Sequence, residues 1–75
     1  MLMRELLVKF RGNRSQAEMG KLYGVSQQAW SQYESGENAP RPALMAKIAD
    51  DAKMDMRDIF FDIFQQDKLV ISAKK

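Results

Sequence analysis

Apolar residues recur at three- and four-residue intervals from the start of this chain to about residue 64, the spacing that lines one face of an α-helix. Over residues 1–10 the positions are Leu2, Leu6, Leu7 and Phe10, and Gly12-Asn13 ends that segment as a C-cap does. Ser15 then reads as an N-cap with Glu18 three positions on, the capping box in which two side chains reciprocally satisfy open backbone N–H groups. The helix it starts runs to about residue 23, with Met19, Leu22 and Tyr23 inward. Gly24 stops it, Val25 fills the turn, and Ser26 caps a third helix over residues 27–35. Residues 36–42 hold one Gly, two prolines and Asn38, and form a loop. Pro42 suits the first turn of a fourth helix that turns Leu44, Met45, Ile48, Ala49 and Ala52 inward. Asp55 can cap a fifth, from Met56 to about Phe64. Only beyond it does the pattern change, to the β-prone run Leu69-Val70-Ile71. The expected architecture is all-α: five helices within residues 1–66, then a tail over 67–75 that can form a strand.

The third helix divides its faces by chemistry. Gln27, Gln28, Ser31, Gln32 and Ser35 fall in one arc, while Ala29, Trp30 and Tyr33 fall in another. A glutamine offers a donor and an acceptor side by side, the complement of adenine's major-groove edge. Taken alone, this face either reads bases or is a solvated surface rich in glutamine. A Trp in such a place belongs to packing.

Composition narrows the choice. Seventy-five residues make one domain with one small core. Without Cys there is no disulfide and no thiolate metal site, and without His the commonest general base and zinc ligand are absent. No glycine-rich phosphate loop and no nucleophile motif stands in their place, so an enzyme is disfavoured. The carboxylates Asp50, Asp51, Asp55 and Asp58 read as caps and solvated positions, and the six methionines as gap-filling core residues. No metal and no cofactor are expected. No apolar run approaches the length of a bilayer span, and Arg4, Glu5 and Lys9 break up any leader-like opening, so the expectation is a cytoplasmic domain that touches no membrane. The net charge is only +2, but up to Ala49 there are seven Lys/Arg against four Asp/Glu, a weak bias with the right sign for a surface facing phosphates.

Over residues 16–35 the signals converge. Two short helices flank a three-residue turn, as in a helix-turn-helix. Gly20 supplies the small residue that a close crossing needs, and Gly24 a turn position that tolerates positive φ. Met19, Tyr23, Val25, Trp30 and Tyr33 fill the buried positions. The run Arg-Gly-Asn-Arg-Ser-Gln-Ala-Glu-Met-Gly-Lys-Leu-Tyr-Gly-Val-Ser-Gln-Gln from Arg11, with Glu34-Ser35-Gly36, Pro40, Ile48-Ala49 and Asp58-Ile59-Phe60, resembles the Cro/cI-like (XRE) family of DNA-binding regulators. The resemblance covers roughly residues 6–61.

That resemblance implies a five-helix, lambda-repressor-like fold that works as a homodimer on a double-stranded DNA operator, with the third helix in the major groove. It implies base reading by Gln27, Gln28 and Gln32, with Ser26 and Ser31 as lesser candidates. It implies phosphate contacts by Gln16 at the start of the second helix, by Asn38 and Arg41 in the loop, and by Ser26 and Arg14 as lesser ones. Glu34 resembles the family's internal glutamate, which pairs with an arginine near the end of the first helix, here Arg11. The first inter-helix link is about two residues shorter than the common pattern, so Lys9 is a second possible partner. Five apolar residues in the six from Ile59 exceed what one helix face can turn inward. Phe60, Phe61, Ile63 and Phe64, with Leu69, Val70 and Ile71, are therefore the expected dimer contacts. The alternative is an antitoxin or other protein-interaction module whose DNA binding is secondary.

Overall fold

The computed structural model describes residues 3–64. Among them are five helices, α1 (Glu5–Arg11), α2 (Gln16–Tyr23), α3 (Gln27–Ser35), α4 (Pro42–Ala52) and α5 (Met56–Ile59), followed by a helical turn over 61–64, with no strand. The domain is all-α. Leu2 and the tail expected to form a strand, with Leu69, Val70 and Ile71, lie outside the described residues.

Local chemistry explains most boundaries. Ser15 Oγ accepts from the Glu18 N–H at 3.0 Å while the Ser15 N–H donates to Glu18 at 2.8 Å, closing the capping box at the mouth of α2. Ser26 Oγ accepts from the Ala29 N–H and opens α3. Asp55 does the same for α5 through the Arg57 N–H. Pro42 begins α4 after Arg41, whose side chain makes no cap. Gly24 ends α2 with φ +71°, a conformation that costs a residue with a Cβ but not glycine.

The core is one cluster: Leu7 from α1, Met19 from α2, Trp30 and Tyr33 from α3, Met45, Ile48 and Ala49 from α4, then Ile59 and Phe60. Its centre is aromatic. The Tyr23 and Trp30 rings stack with centroids 5.5 Å apart, and Tyr33 meets Trp30 edge-on at 6.0 Å. Tyr23 donates its hydroxyl to Asp51 at 2.8 Å, and burial together with that carboxylate pushes its pKa up to about 12.

Five expectations require correction. The first helix starts at Glu5 rather than at residue 1: Arg4 stands at its N-cap with φ −84° and ψ 86°, outside the helical range, and its N–H donates to the Glu34 carbonyl at 2.8 Å. Leu22 is 57% exposed instead of inward. The buried arc of α2 runs through Met19, Tyr23 and Gly20, and Leu22 falls about 60° outside it by helical period. The fifth helix breaks at Phe60, with φ −109° and ψ 44°. Phe60 itself is fully buried in its own chain's core, so it is removed from the dimer contacts. Methionine use is also mixed, with Met19 and Met45 in the core and Met3 55% exposed.

Gly20 has no room for a side chain. A Cβ there would stand 2.5 Å from the Val25 carbonyl oxygen, against the turn backbone that leads into α3. We expect Gly20→Ala to destabilise the domain by about 1–3 kcal/mol despite the better helix propensity of Ala. A urea-unfolding midpoint equal to or above wild type would show that the α2–α3 crossing can open without cost.

Candidate nucleic-acid interface

The inner side of α3 is held by a buried carboxylate. Glu34 is 3% exposed and accepts from three elements. Arg11 Nε at the end of α1 reaches its Oε2 at 2.7 Å, Trp30 Nε1 within α3 reaches the same oxygen at 2.7 Å, and Gln16 Nε2 at the start of α2 reaches Oε1 at 2.9 Å. A charge taken from water is tolerable only with such donors around it. Of the two cations the sequence left open, Arg11 is the one in contact, and Lys9 faces solvent. Arg11 also donates from Nη1 to the Arg14 carbonyl at 2.9 Å. This extra bond ties down the short α1–α2 link.

With Trp30, Tyr33 and Glu34 buried, the other side of α3 must face out. Gln27 and Gln28 are exposed in its first turn, and Ser31, Gln32 and Ser35 follow half-buried. Gln32 leans toward the following loop, where Asn38 Nδ2 approaches its Oε1 at 3.4 Å. The face is uncharged and rich in paired donors and acceptors, chemistry that suits base edges better than phosphates.

The residues expected at phosphates have different surroundings. Ser26 is exposed, and its Oγ already accepts the Ala29 N–H, which leaves its hydroxyl hydrogen to donate. Gln16 spends one amide N–H on Glu34, while the first N–H groups of α2 have no partner within the helix. Asn38 is exposed, with Oδ1 accepting the Ala39 N–H, and Arg41 is exposed at the start of α4. Arg14 is occupied otherwise. Its Nε and Nη2 donate to the carbonyls of Arg11 and Phe10 at 3.1 and 2.7 Å, and its guanidinium lies 5.2 Å from the Phe10 ring centroid. It closes the end of α1, and only its remaining edge is left for a phosphate.

Sequence reasoning overlooked Arg4. This arginine is 2% exposed, and its Nε and Nη2 grip both oxygens of Asp62 at 2.9 and 2.8 Å. Its Nη1 donates to the carbonyls of Tyr33 and Asn38 at 2.6 and 2.7 Å, and the Phe60 ring lies 5.3 Å from the guanidinium carbon. The same guanidinium holds the Asp62 carboxyl below the usual carboxylate range. A signal was present: Arg4 and Arg11 flank the buried Leu7 at helical spacing, on its inward stripe. Nothing in the sequence pairs Arg4 with a residue 58 positions away.

Among the described residues no group of His, Cys, Asp or Glu is placed to hold a metal, and no helix is long and apolar enough to cross a membrane. A family model described as helix-turn-helix matches residues 3–58. Comparison with curated proteins and with solved structures gave no match.

The three donors around Glu34 make a specific demand on that side chain. Glu34→Gln keeps its shape but replaces one accepting oxygen with an NH2 that must face a donor. We expect a loss of about 3 kcal/mol in chemical unfolding at neutral pH. A variant within experimental error of wild type would mean that the network is not stabilised by the carboxylate charge.

Proposed function

The chain belongs to the helix-turn-helix family of Cro/cI-like DNA-binding transcription regulators, and on that premise we propose that it is a cytoplasmic, sequence-specific repressor that binds a DNA operator as a homodimer, with α3 in the major groove. One observation carries the reading: α3 turns Trp30, Tyr33 and Glu34 into the protein and leaves Gln27 and Gln28, with Ser31 and Gln32 behind them, on the outer side. Recognition helices of this motif use their N-terminal residues on base edges, and that is where the two exposed glutamines stand.

In this reading Gln27, Gln28 and Gln32 read bases, with adenine favoured by the bidentate match, and Ser31 assists. Gln16 and Ser26 meet phosphates at the mouths of α2 and α3, where helix N-termini favour anions. Asn38 and Arg41 meet them from the loop, and the free edge of Arg14 adds a weaker contact. The small net charge fits this division, because few cations are asked to hold the backbone.

Dimerisation is the second half of the proposal. Phe61 is 39% exposed and Met3 55%, while Ile63 and Phe64 are half-buried on the last described turn. A helix-turn-helix monomer reads only a few base pairs, and a twofold pair reads two half-sites about one helical turn apart. Leu69, Val70 and Ile71 are proposed to extend that contact.

Two measurements test these claims. After selection of the best site from random duplexes, Gln27→Ala, Gln28→Ala and Gln32→Ala should each cost about 1–3 kcal/mol on that site and relax preference locally. Arg41→Ala should instead weaken all duplexes alike and lower the slope of log affinity against log salt by about one. Equal weakening of specific and random DNA by the glutamine changes would reassign them to phosphate. For the dimer, sedimentation equilibrium at micromolar concentration should give twice the chain mass for wild type and a shift to monomer for Phe61→Glu. A monomeric wild-type chain defeats the preformed dimer.

A further inference from the structure

We propose that Arg4 is a positioning residue for DNA readout, coupling the C-terminal turn to the end of α3 and the loop behind it. The inference rests on the DNA-reading assignment of α3 and concerns a residue outside that face. Its basis is the set of groups that one guanidinium joins. The last carbonyls of a helix have no partner within it and need donors from elsewhere. For α3 part of that supply comes from Arg4, whose Nη1 takes the Tyr33 carbonyl and whose backbone N–H takes that of Glu34. The same Nη1 holds the Asn38 carbonyl, so the end of the helix and the loop are fastened to one atom.

From Asn38 the connection continues to the proposed base-reading face. The Asn38 N–H donates to the Gln32 carbonyl at 3.3 Å, and its Nδ2 approaches Gln32 Oε1 at 3.4 Å. On the other side, Asp62 orients the guanidinium through both carboxylate oxygens, and Phe60 packs against its face. The path Asp62–Arg4–Asn38–Gln32 is continuous. A planar guanidinium with a fixed fork of donors transmits orientation, which a lysine ammonium on a flexible stem does not. Asp62 also sits beside Ile63 and Phe64, so whatever those residues contact acts on the same turn.

The plain alternative is a clamp that stabilises the fold and leaves readout alone. The two differ in the ratio of specific to random binding, which stability alone does not move once the protein is fully folded. Asp62→Asn and Arg4→Lys are compared with wild type on the best selected duplex and on random duplex, at fixed salt, below the onset of unfolding seen by circular dichroism. Positioning predicts a fall of about tenfold on the best duplex, its sequence-dependent part confined to the base pairs whose preference Gln32→Ala also relaxes, with a clearly smaller fall on random duplex through the Asn38 phosphate contact. The side-chain amide signals of Asn38 and Gln32 should also move in the DNA-free NMR spectrum. If Arg4→Lys does not fold, Asp62→Asn still leaves an oxygen acceptor for the guanidinium and gives the same readings. A folded variant that keeps the wild-type ratio overturns the proposal, as does an equal fall on both duplexes. A wild-type protein without preference among duplexes would defeat the DNA reading instead. The amide signals would then decide the coupling, and unmoved signals would overturn it.

Discussion

A carboxylate removed from water is the constraint on which the rest of this domain is arranged. Glu34 has almost no exposure, and an ion in that position must be met by donors from the protein or it opposes folding. Arg11, Gln16 and Trp30 meet it from α1, α2 and α3. The network therefore sets how the ends of three helices stand relative to one another. It also fixes the rotation of α3, because a helix that must keep Trp30 and Glu34 inside has one side left for solvent.

Arg4 balances this arrangement with the opposite charge. Its guanidinium finds acceptors in Asp62, in the Tyr33 and Asn38 carbonyls and over the Phe60 ring. A chain of this length buries a limited apolar core, and the two buried ions tie its outer elements to that core. Arg11 at the end of α1 and Arg4 before its start hold opposite ends of that helix to α3. No buried side-chain polar atom among the described residues lacks a partner, so the cost of burying these groups is offset within the fold.

Placing the charges inside has a consequence for recognition. The exposed side of α3 carries amides and hydroxyls, which can match donor and acceptor patterns without the indiscriminate pull of a cation on phosphate. In the proposed reading, phosphates are left to residues at the helix mouths and in the loop. Gln16 belongs to both sets of contacts, bonded to Glu34 inside and standing at the mouth of α2 outside.

The helices and their caps were legible in the sequence because their causes are local. Ser15 with Glu18, Ser26 with Ala29, and Asp55 with Arg57 act over two or three positions, and Gly20 and Gly24 act on the turn beside them. The glutamine face of α3 followed from helical period alone, and the Glu34 pair from a resemblance carried by neighbouring motifs. Tertiary packing decided what period could not. Leu22 had the right residue type but lies outside the arc that Gly20 lets α2 bury. Phe60 looked like surplus apolar surface until the break in α5 turned it wholly into the core. Helical spacing puts Arg4 on the stripe of Leu7, but no local pattern links it to Asp62, and only the folded chain brings the two together. Short-range hydrogen bonds and helical period are written in consecutive residues, whereas the partner of a buried charge depends on which distant segments the whole core brings into contact.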